Sequence, residues 1–409
     1  MTSEGGSNGT TLPLISPNRG VVISTLGVTQ IFAWGSTYYL PAVLAAPMGA
    51  DTGWPLPWVA AGVSVGLLMA GLVSPRVGRA IDRNGGRRVL GASSALIGAG
   101  LLMLAFAHGL VTYFAGWLVL GLGMGTGLYD AAFATLGRYY GREARSAITT
   151  LTLWGGFAST VCWPLSAFLV EAVGWRGTCL AYSAFQLLVA LPMHLWLLPP
   201  AKPVVPVADN TGQKKVVFTP AQWRAFLLMA GVVTIGGAVS SLVSVHLLTM
   251  LQASGVSLAA AVSLGALIGP AQVGARVIEM AFGRHYHPVW TMSGATLLVA
   301  IGLALLATGW PLAALALILY GCGTGIFSIG RGTLPLALFG ADGYATLMGR
   351  LAVPSLIAQA LAPSVGAVAI AQAGAGSTFT ILTVMAFVNV CLATVLLLSG
   401  IRIGTTSDP

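Results

Sequence analysis

Gly78-Arg79-Ala80-Ile81-Asp82-Arg83-Asn84-Gly85-Gly86-Arg87-Arg88 gathers four arginines and one aspartate into eleven residues of a chain that otherwise avoids charge. Apolar segments flank it on both sides, at about 57–76 and 89–108, each long enough to cross a bilayer. Three glycines with a carboxylate and arginines at this spacing suit a tight turn between two membrane helices. Asp82 is then placed to accept bonds from neighbouring guanidinium groups or from a helix N-terminus.

Composition supports that reading. The 409 residues are 56% hydrophobic and 7% charged, with a mean hydropathy of +0.87. A soluble domain carries about 25% charged residues, so this is an integral membrane protein. At about 20–25 residues per span plus short loops, the length accommodates about twelve membrane helices. The net charge of +9 lies in short loops between apolar spans, which is a topology signal; no nucleic acid is implied. Cys162, Cys179, Cys322 and Cys391 are isolated, with no CxxC spacing, so neither a disulfide framework nor a thiolate metal cluster is expected. Residues 1–17 lack the features of a removable signal peptide, and the first apolar segment is expected to stay as a helix.

The chain divides at a composition shift. A tail at 1–18 precedes six spans over 19–198; the polar stretch 199–222, with its prolines and Lys202, Lys214 and Lys215, reads as a linker. Six further spans over 223–402 are followed by a short tail at 403–409. With the N-terminus inside, 15 of the 19 Lys and Arg fall in cytoplasmic loops, tails or inner helix ends; Arg176 lies outside, and Arg276, Arg331 and Arg350 lie within helices. That bias places both termini in the cytoplasm. The halves also repeat. Gly121, Gly123 and Gly125 recur 200 residues on as Gly321, Gly323 and Gly325, and Gly141 and Pro164 recur 199 residues on as Gly340 and Pro363. Spans four and five thus correspond to ten and eleven.

Ionisable groups inside spans mark pathways or structural pairs. Asp130 in span four and Arg331 in span ten sit at equivalent depths and either gate the halves, carry a coupling proton or lock the two halves together. Arg276 in span eight, with Glu279 one turn on, and Arg350 in span eleven are the other candidates. Guanidinium groups make bidentate contacts to carboxylates, so two in one cavity favour an anionic substrate; alternatively Glu279 neutralises Arg276, and Arg350 reaches the inner surface. In span one, Gln30, Trp34 and Tyr38 suit a cavity wall, although Trp and Tyr also form interfacial belts.

The pattern G-x-x-x-D-R-x-G-x-R-R, met here by Gly78, Asp82, Arg83, Gly85, Arg87 and Arg88, resembles the signature loop of the major facilitator superfamily of secondary transporters. The resemblance extends over Arg19 to Arg402. It implies an all-α membrane fold, two pseudo-symmetric six-helix bundles with a solute site between them near the midplane. Within the superfamily the chain is most similar to the monocarboxylate transporter and oxalate/formate exchanger branch. Asp51-Thr52-Gly53-Trp54 is like its D-x-G-W element, and that branch uses cations in spans eight and eleven, where Arg276 and Arg350 stand. It departs from the branch in that Gln272 precedes Arg276 and the acid, Glu279, follows it.

These readings give a secondary transporter of the inner membrane, not an enzyme, that is expected to move a small anionic solute by alternating access, with proton coupling an option. No nucleotide-binding loop, cofactor or metal site is evident, and a monomer is expected. Efflux of a drug or metalloid is the alternative, although the antiporter marks are missing: Trp117 and the Gly155-Gly156 and Trp163-Pro164 pairs stand where they would be.

Overall fold

The computed structural model describes residues 18–200, 218–309 and 312–404. The tails at 1–18 and 403–409 and the linker at 199–222 fall largely outside them. Every element is helical: α1 (Arg19–Gly35), α2 (Leu40–Thr52), α3 (Leu56–Asn84), α4 (Gly86–Ala105), α5 (Leu110–Gly127), α6 (Tyr129–Tyr140), α7 (Ala144–Gly156), α8 (Ala158–Phe185), α9 (Pro220–Ala253), α10 (Leu258–Gly265), α11 (Ile268–Phe282), α12 (Pro288–Ala307), α13 (Ala313–Phe339) and α14 (Tyr344–Gly404). Short 3-10 and π turns lie between them. Gly174 (φ 72°) and Gly374 (φ 80°) turn the chain back inside α8 and α14, which places two successive membrane passes in each. Twelve passes result among the described residues, the expected number.

Four spans expected to be continuous are broken near their middles, and each break has a local cause. The first stops at Gly35 and restarts at Leu40, where Pro41 in the first turn of α2 has no N–H to offer the preceding turn. The fourth breaks at Leu128 (φ −74°, ψ −171°). The fifth breaks after Gly155-Gly156, and the eighth between Gly265 and Ile268, with Pro270 just beyond.

The internal repeat is a packing repeat. A side chain at Gly121 or Gly125 would run into the backbone of α3, and one at Gly123 into α4. Their counterparts Gly321 and Gly325 meet α11 in the same way, and Gly323 meets α12. Spans four and ten are thus each wedged between the equivalent pair of neighbours, at separations only glycine permits.

Contacts between the two halves are unevenly distributed. At the face carrying the arginine-rich loops, one apolar core draws on both halves, from Val77, Phe133 and Ile148 to Leu334, Tyr344 and Met348. Toward the opposite face the core separates in two, one part around Leu101, Tyr113 and Trp117 and the other around Leu247, Leu303 and Phe379. The α10 segment packs on α9 and α13 of its own half. The halves thus share one core at the basic face and keep largely separate cores toward the other.

Polar contacts reinforce the join at the basic face. Asp82 Oδ2 accepts from the Thr346 backbone N–H at 2.8 Å and from Thr346 Oγ1 at 2.5 Å, so the carboxylate sits on the first turn of α14. Gly85 (φ 76°) ends α3 and lets Gly86 begin α4 directly. Arg145, at the start of α7, donates to the carbonyls of Gly283 and Tyr286 just past the end of α11, a cation on a helix C-terminus that mirrors Asp82 on an N-terminus. At the opposite face, Asp51 accepts from Trp175 Nε1 (3.0 Å) and Arg176; these bonds hold its carboxyl below the usual carboxylate range.

A Cβ at Gly78 would collide with the Ala345 carbonyl, and one at Gly349 with that of Ser74. We expect Gly78→Val to cost about 1–3 kcal/mol through overpacking, charged specifically to the state closed at this face. Cross-linking between Arg142→Cys and Asp342→Cys, two exposed positions on facing halves, should then fall severalfold; an unchanged yield would mean that the crossing does not hold this face shut.

Candidate functional site

The broken spans converge on a cavity between the halves. Trp34, Tyr38, Leu67, Ala70, Met124, Tyr129, Asp130, Arg331, Leu356 and Gln359 are among its lining residues. About 30 Å³ of it is open to the centres of water molecules, room for two or three waters. A solute larger than that has to part the halves.

One wall is the ion pair foreseen from the repeat. Arg331 Nη2 donates to Asp130 Oδ2 at 2.7 Å, joining α6 to α13 across the cavity, with both side chains under one-fifth exposed. The break at Leu128 makes Asp130 a first-turn residue of α6, where the exposed N–H groups favour a negative charge. Asp130 Oδ1 has no hydrogen-bond partner among the described residues.

Gln30 is buried and engaged at both ends of its amide. Its Nε2 donates to the Gly127 carbonyl at 2.5 Å, satisfying a backbone acceptor that the break in span four sets free, and its Oε1 accepts from Trp34 Nε1 at 3.2 Å. Gln30 thus fixes the helix break and the indole beside it; it does not line the cavity. Trp34 is the hub of an aromatic cluster, with ring centroids 5.1 Å from Tyr129, 5.5 Å from Tyr38 and 6.1 Å from Tyr39. Tyr39 leads on to Trp163 at 6.0 Å, and Tyr129 stacks on Phe133 at 5.0 Å. Tyr38 also reaches across the halves to the neighbourhood of Ser241 and Ser244 on α9.

Arg276 lies next to this cluster and is 6% exposed. Its Nε donates to the Gly325 carbonyl at 3.2 Å, while Nη1 is buried with no partner among the described residues. The Nη1 end rests against Gly156, where any Cβ would clash, and the Tyr39 and Tyr129 hydroxyls are within electrostatic range. Glu279 does not neutralise it: no ion pair joins the two among the described residues. The Glu279 carboxylate is held one turn closer to the basic face, where Oε1 accepts from Thr291 Oγ1 at 2.7 Å and Oε2 from the Tyr286 hydroxyl at 2.5 Å. Burial and that bond raise the Tyr286 hydroxyl, in the loop before α12, to about 12.

Arg350 is not brought to the site. It is exposed, while Tyr344, Leu347, Met348 and Leu351 occupy the buried side of this stretch of α14. The expectation that it would join Arg276 in one cavity is corrected on that geometry: its helix register turns it away. In the signature loop, Gly78, Asp82 and Gly85 act as described above, Arg87 lies near Tyr139 at the end of α6, and Arg83 and Arg88 stay on the basic face. Sequence reasoning passed over Tyr129 and Gly156. Both carried a signal, Tyr129 in directly preceding the one intramembrane aspartate, and Gly156 in closing a Gly-Gly pair within a span.

Two bundles of six helices, a cavity between them and a latch at one face define a membrane transporter. The model of the Major Facilitator Superfamily matches residues 26–284, and the chain belongs to that family. It is accordingly a multi-pass transporter and not an enzyme. Among curated proteins it is 34% identical over 142 residues to mouse monocarboxylate transporter 11, covering 34% of this chain and 29% of that protein. It is 32% identical over 161 residues to human monocarboxylate transporter 11, covering 37% and 33%. The matched stretch thus spans about a third of the length of these relatives. Among solved structures, the human organic anion transporter MFSD10 (TETRAN) superposes with a TM-score of 0.75 at 16% identity, over 92% of this chain and 100% of that one. The E. coli fucose:proton symporter FucP superposes with a TM-score of 0.72 at 12% identity, over 92% and 99%. At these identities the structural likeness concerns the fold.

Proposed function

We propose that this chain is a secondary active transporter that carries a small organic anion, of carboxylate type, across an inner membrane by alternating access, with proton coupling through Asp130. The observation that carries the anion reading is Arg276: a buried guanidinium beside the inter-half cavity, with one nitrogen unpartnered. A buried unpaired cation costs several kcal/mol, and a bound carboxylate relieves that cost by offering the missing acceptor. The likeness of part of the chain to monocarboxylate transporter 11 supports the same class. Both termini are taken as cytoplasmic, from the arginine and lysine bias of the loops facing that side. On that orientation we take the structure as a member of the cycle closed toward the cytoplasm by Asp82 and Arg145.

The substrate occupies the space between Arg276 and the Asp130–Arg331 pair. Its entry parts the halves at the face opposite the latch and, in the alternate state, the latch at the basic face opens. The test is thermal stabilisation of the purified protein in detergent by acetate, pyruvate, benzoate, inorganic oxyanions, trivalent metalloids and lipophilic cations. Carboxylates alone should raise the melting temperature. Stabilisation restricted to cations or metalloids would replace this reading with efflux of a toxic solute.

A further inference from the structure

The residues around Arg276 specify more than a negative charge. Resting on the anion reading above, the geometry points to a substrate whose carboxylate is attached to an aromatic ring: an aryl carboxylate, seated with its carboxylate on Arg276 Nη1 and its ring in the cluster of Trp34, Tyr38, Tyr39 and Tyr129.

Three observations carry this. First, the unpartnered nitrogen of Arg276 and the hydroxyls of Tyr39 and Tyr129 converge beside the break in span five. Two adjacent glycines make the convergence sterically allowed: Gly155 seats the Tyr129 hydroxyl and Gly156 seats the guanidinium. The Tyr129 hydroxyl donates to the Thr152 carbonyl at 3.4 Å, a long bond that a bound carboxylate would replace; one cation and two hydroxyls then match the two oxygens of a single carboxylate. Second, the cavity that Tyr129 lines also presents the Trp34 and Tyr38 rings, alongside the aliphatic Leu67, Ala70, Leu128 and Leu356 and the thioether of Met124. Trp34 is at the centre with three ring neighbours between 5.1 and 6.1 Å. Those spacings are the ones aromatic side chains use for edge and offset contacts, and an inserted aryl ring can exchange into the same geometries. Third, the hub is fixed before substrate arrives. Trp34 Nε1 is bonded to Gln30, and Gln30 is bonded to the backbone of span four. A preorganised indole loses little freedom on binding, so its contact with the ligand is retained as affinity.

An aromatic cluster also suits organic cations, through the negative faces of the rings. Here a buried, incompletely paired Arg276 stands within the same group of rings, and the Asp130 charge is already matched by Arg331. The buried Glu279 carboxylate, one turn along α11, is taken up by Thr291 and Tyr286, so the unpartnered Nη1 favours an anion at this point.

Benzoate and cyclohexanecarboxylate separate the ring from the charge, because they share a carboxylate on a six-membered ring and differ in its aromaticity. Affinities of both, with acetate for comparison, are to be measured by isothermal titration on the full chain in detergent. Benzoate should bind about tenfold tighter than cyclohexanecarboxylate, and Trp34→Leu should bring that ratio close to one. Trp34→Phe, which keeps an aromatic face, should retain most of the ratio and serves if the leucine variant does not fold. Equal affinities in the unaltered protein, or tighter binding of the saturated ring, would overturn the inference while leaving the anion reading intact. A ratio that persists in Trp34→Leu would also overturn it, since the selectivity would then arise elsewhere. Binding of acetate without either ring compound would do the same. Failure of all three carboxylates to bind would instead remove the anion reading on which the inference stands.

Discussion

Arg276→Gln should weaken carboxylate binding by at least about 30-fold and leave the folded protein as stable as before, or more so. The binding loss follows from the contact removed. Truncating one partner of a buried, hydrogen-bonded charge pair costs about 2–5 kcal/mol, and each 1.4 kcal/mol is a factor of ten in affinity. The stability result follows from the state of the empty site. Arg276 gives one hydrogen bond, to the Gly325 carbonyl, and leaves Nη1 buried without a partner. A neutral glutamine removes a desolvated charge that makes no ion pair among the described residues. Ordinary structural cations behave in the opposite way, since their removal strands a partner and lowers stability. Titration of carboxylates with parallel melting curves separates the two. Unchanged affinity would take Arg276 out of the site, and a large loss of stability would make it a structural residue.

The second large effect concerns the pair across the cavity. Arg331→Ala should destabilise the basic-closed state by about 3–5 kcal/mol, because it leaves the Asp130 carboxylate buried with neither oxygen partnered among the described residues. The charge-neutral double variant, Asp130→Asn with Arg331→Gln, should recover most of that loss, since neither residue then strands a charge. Transport has a separate expectation. If Asp130 takes up a proton when the pair opens, Asp130→Asn removes the titrating group and flattens the dependence of uptake on external pH. Stability is read by denaturation in detergent and uptake in proteoliposomes between pH 5 and 8. An unaltered pH profile together with the stability loss would make the pair a lock between halves without a part in coupling.

Sequence revealed the architecture because the features that build it are local and chemically extreme. The loop at Gly78–Arg88 announces itself by charge, and the glycine triplets at 121–125 and 321–325 mark helix crossings that no other residue fits. The Asp130–Arg331 pair followed from the same repeat, which placed the two residues at equal depth. The breaks in spans one, four, five and eight were not read, because hydropathy is uniform across them and only scattered Gly and Pro residues hint at where a helix stops. Those breaks, however, decide the site: they put Asp130 at a helix start and open the Gly127 carbonyl to Gln30. Spacing likewise left open, as the alternative to substrate contact, that Glu279 neutralises Arg276. Its carboxylate is drawn instead to Tyr286 and Thr291, residues of a loop and a neighbouring span whose positions no local pattern gives. Arg350 failed for a related reason, since depth in a span says nothing about which way the helix is turned.

The most direct test of the account is counterflow of a labelled carboxylate in proteoliposomes containing the purified chain, preloaded with the same unlabelled anion. Benzoate is the first choice and pyruvate the second. The account predicts transient accumulation of label above equilibrium by the unaltered protein and none by Arg276→Gln reconstituted at equal density. Accumulation by both would contradict the role given to Arg276, and accumulation by neither, for any carboxylate tried, would contradict organic anion transport itself.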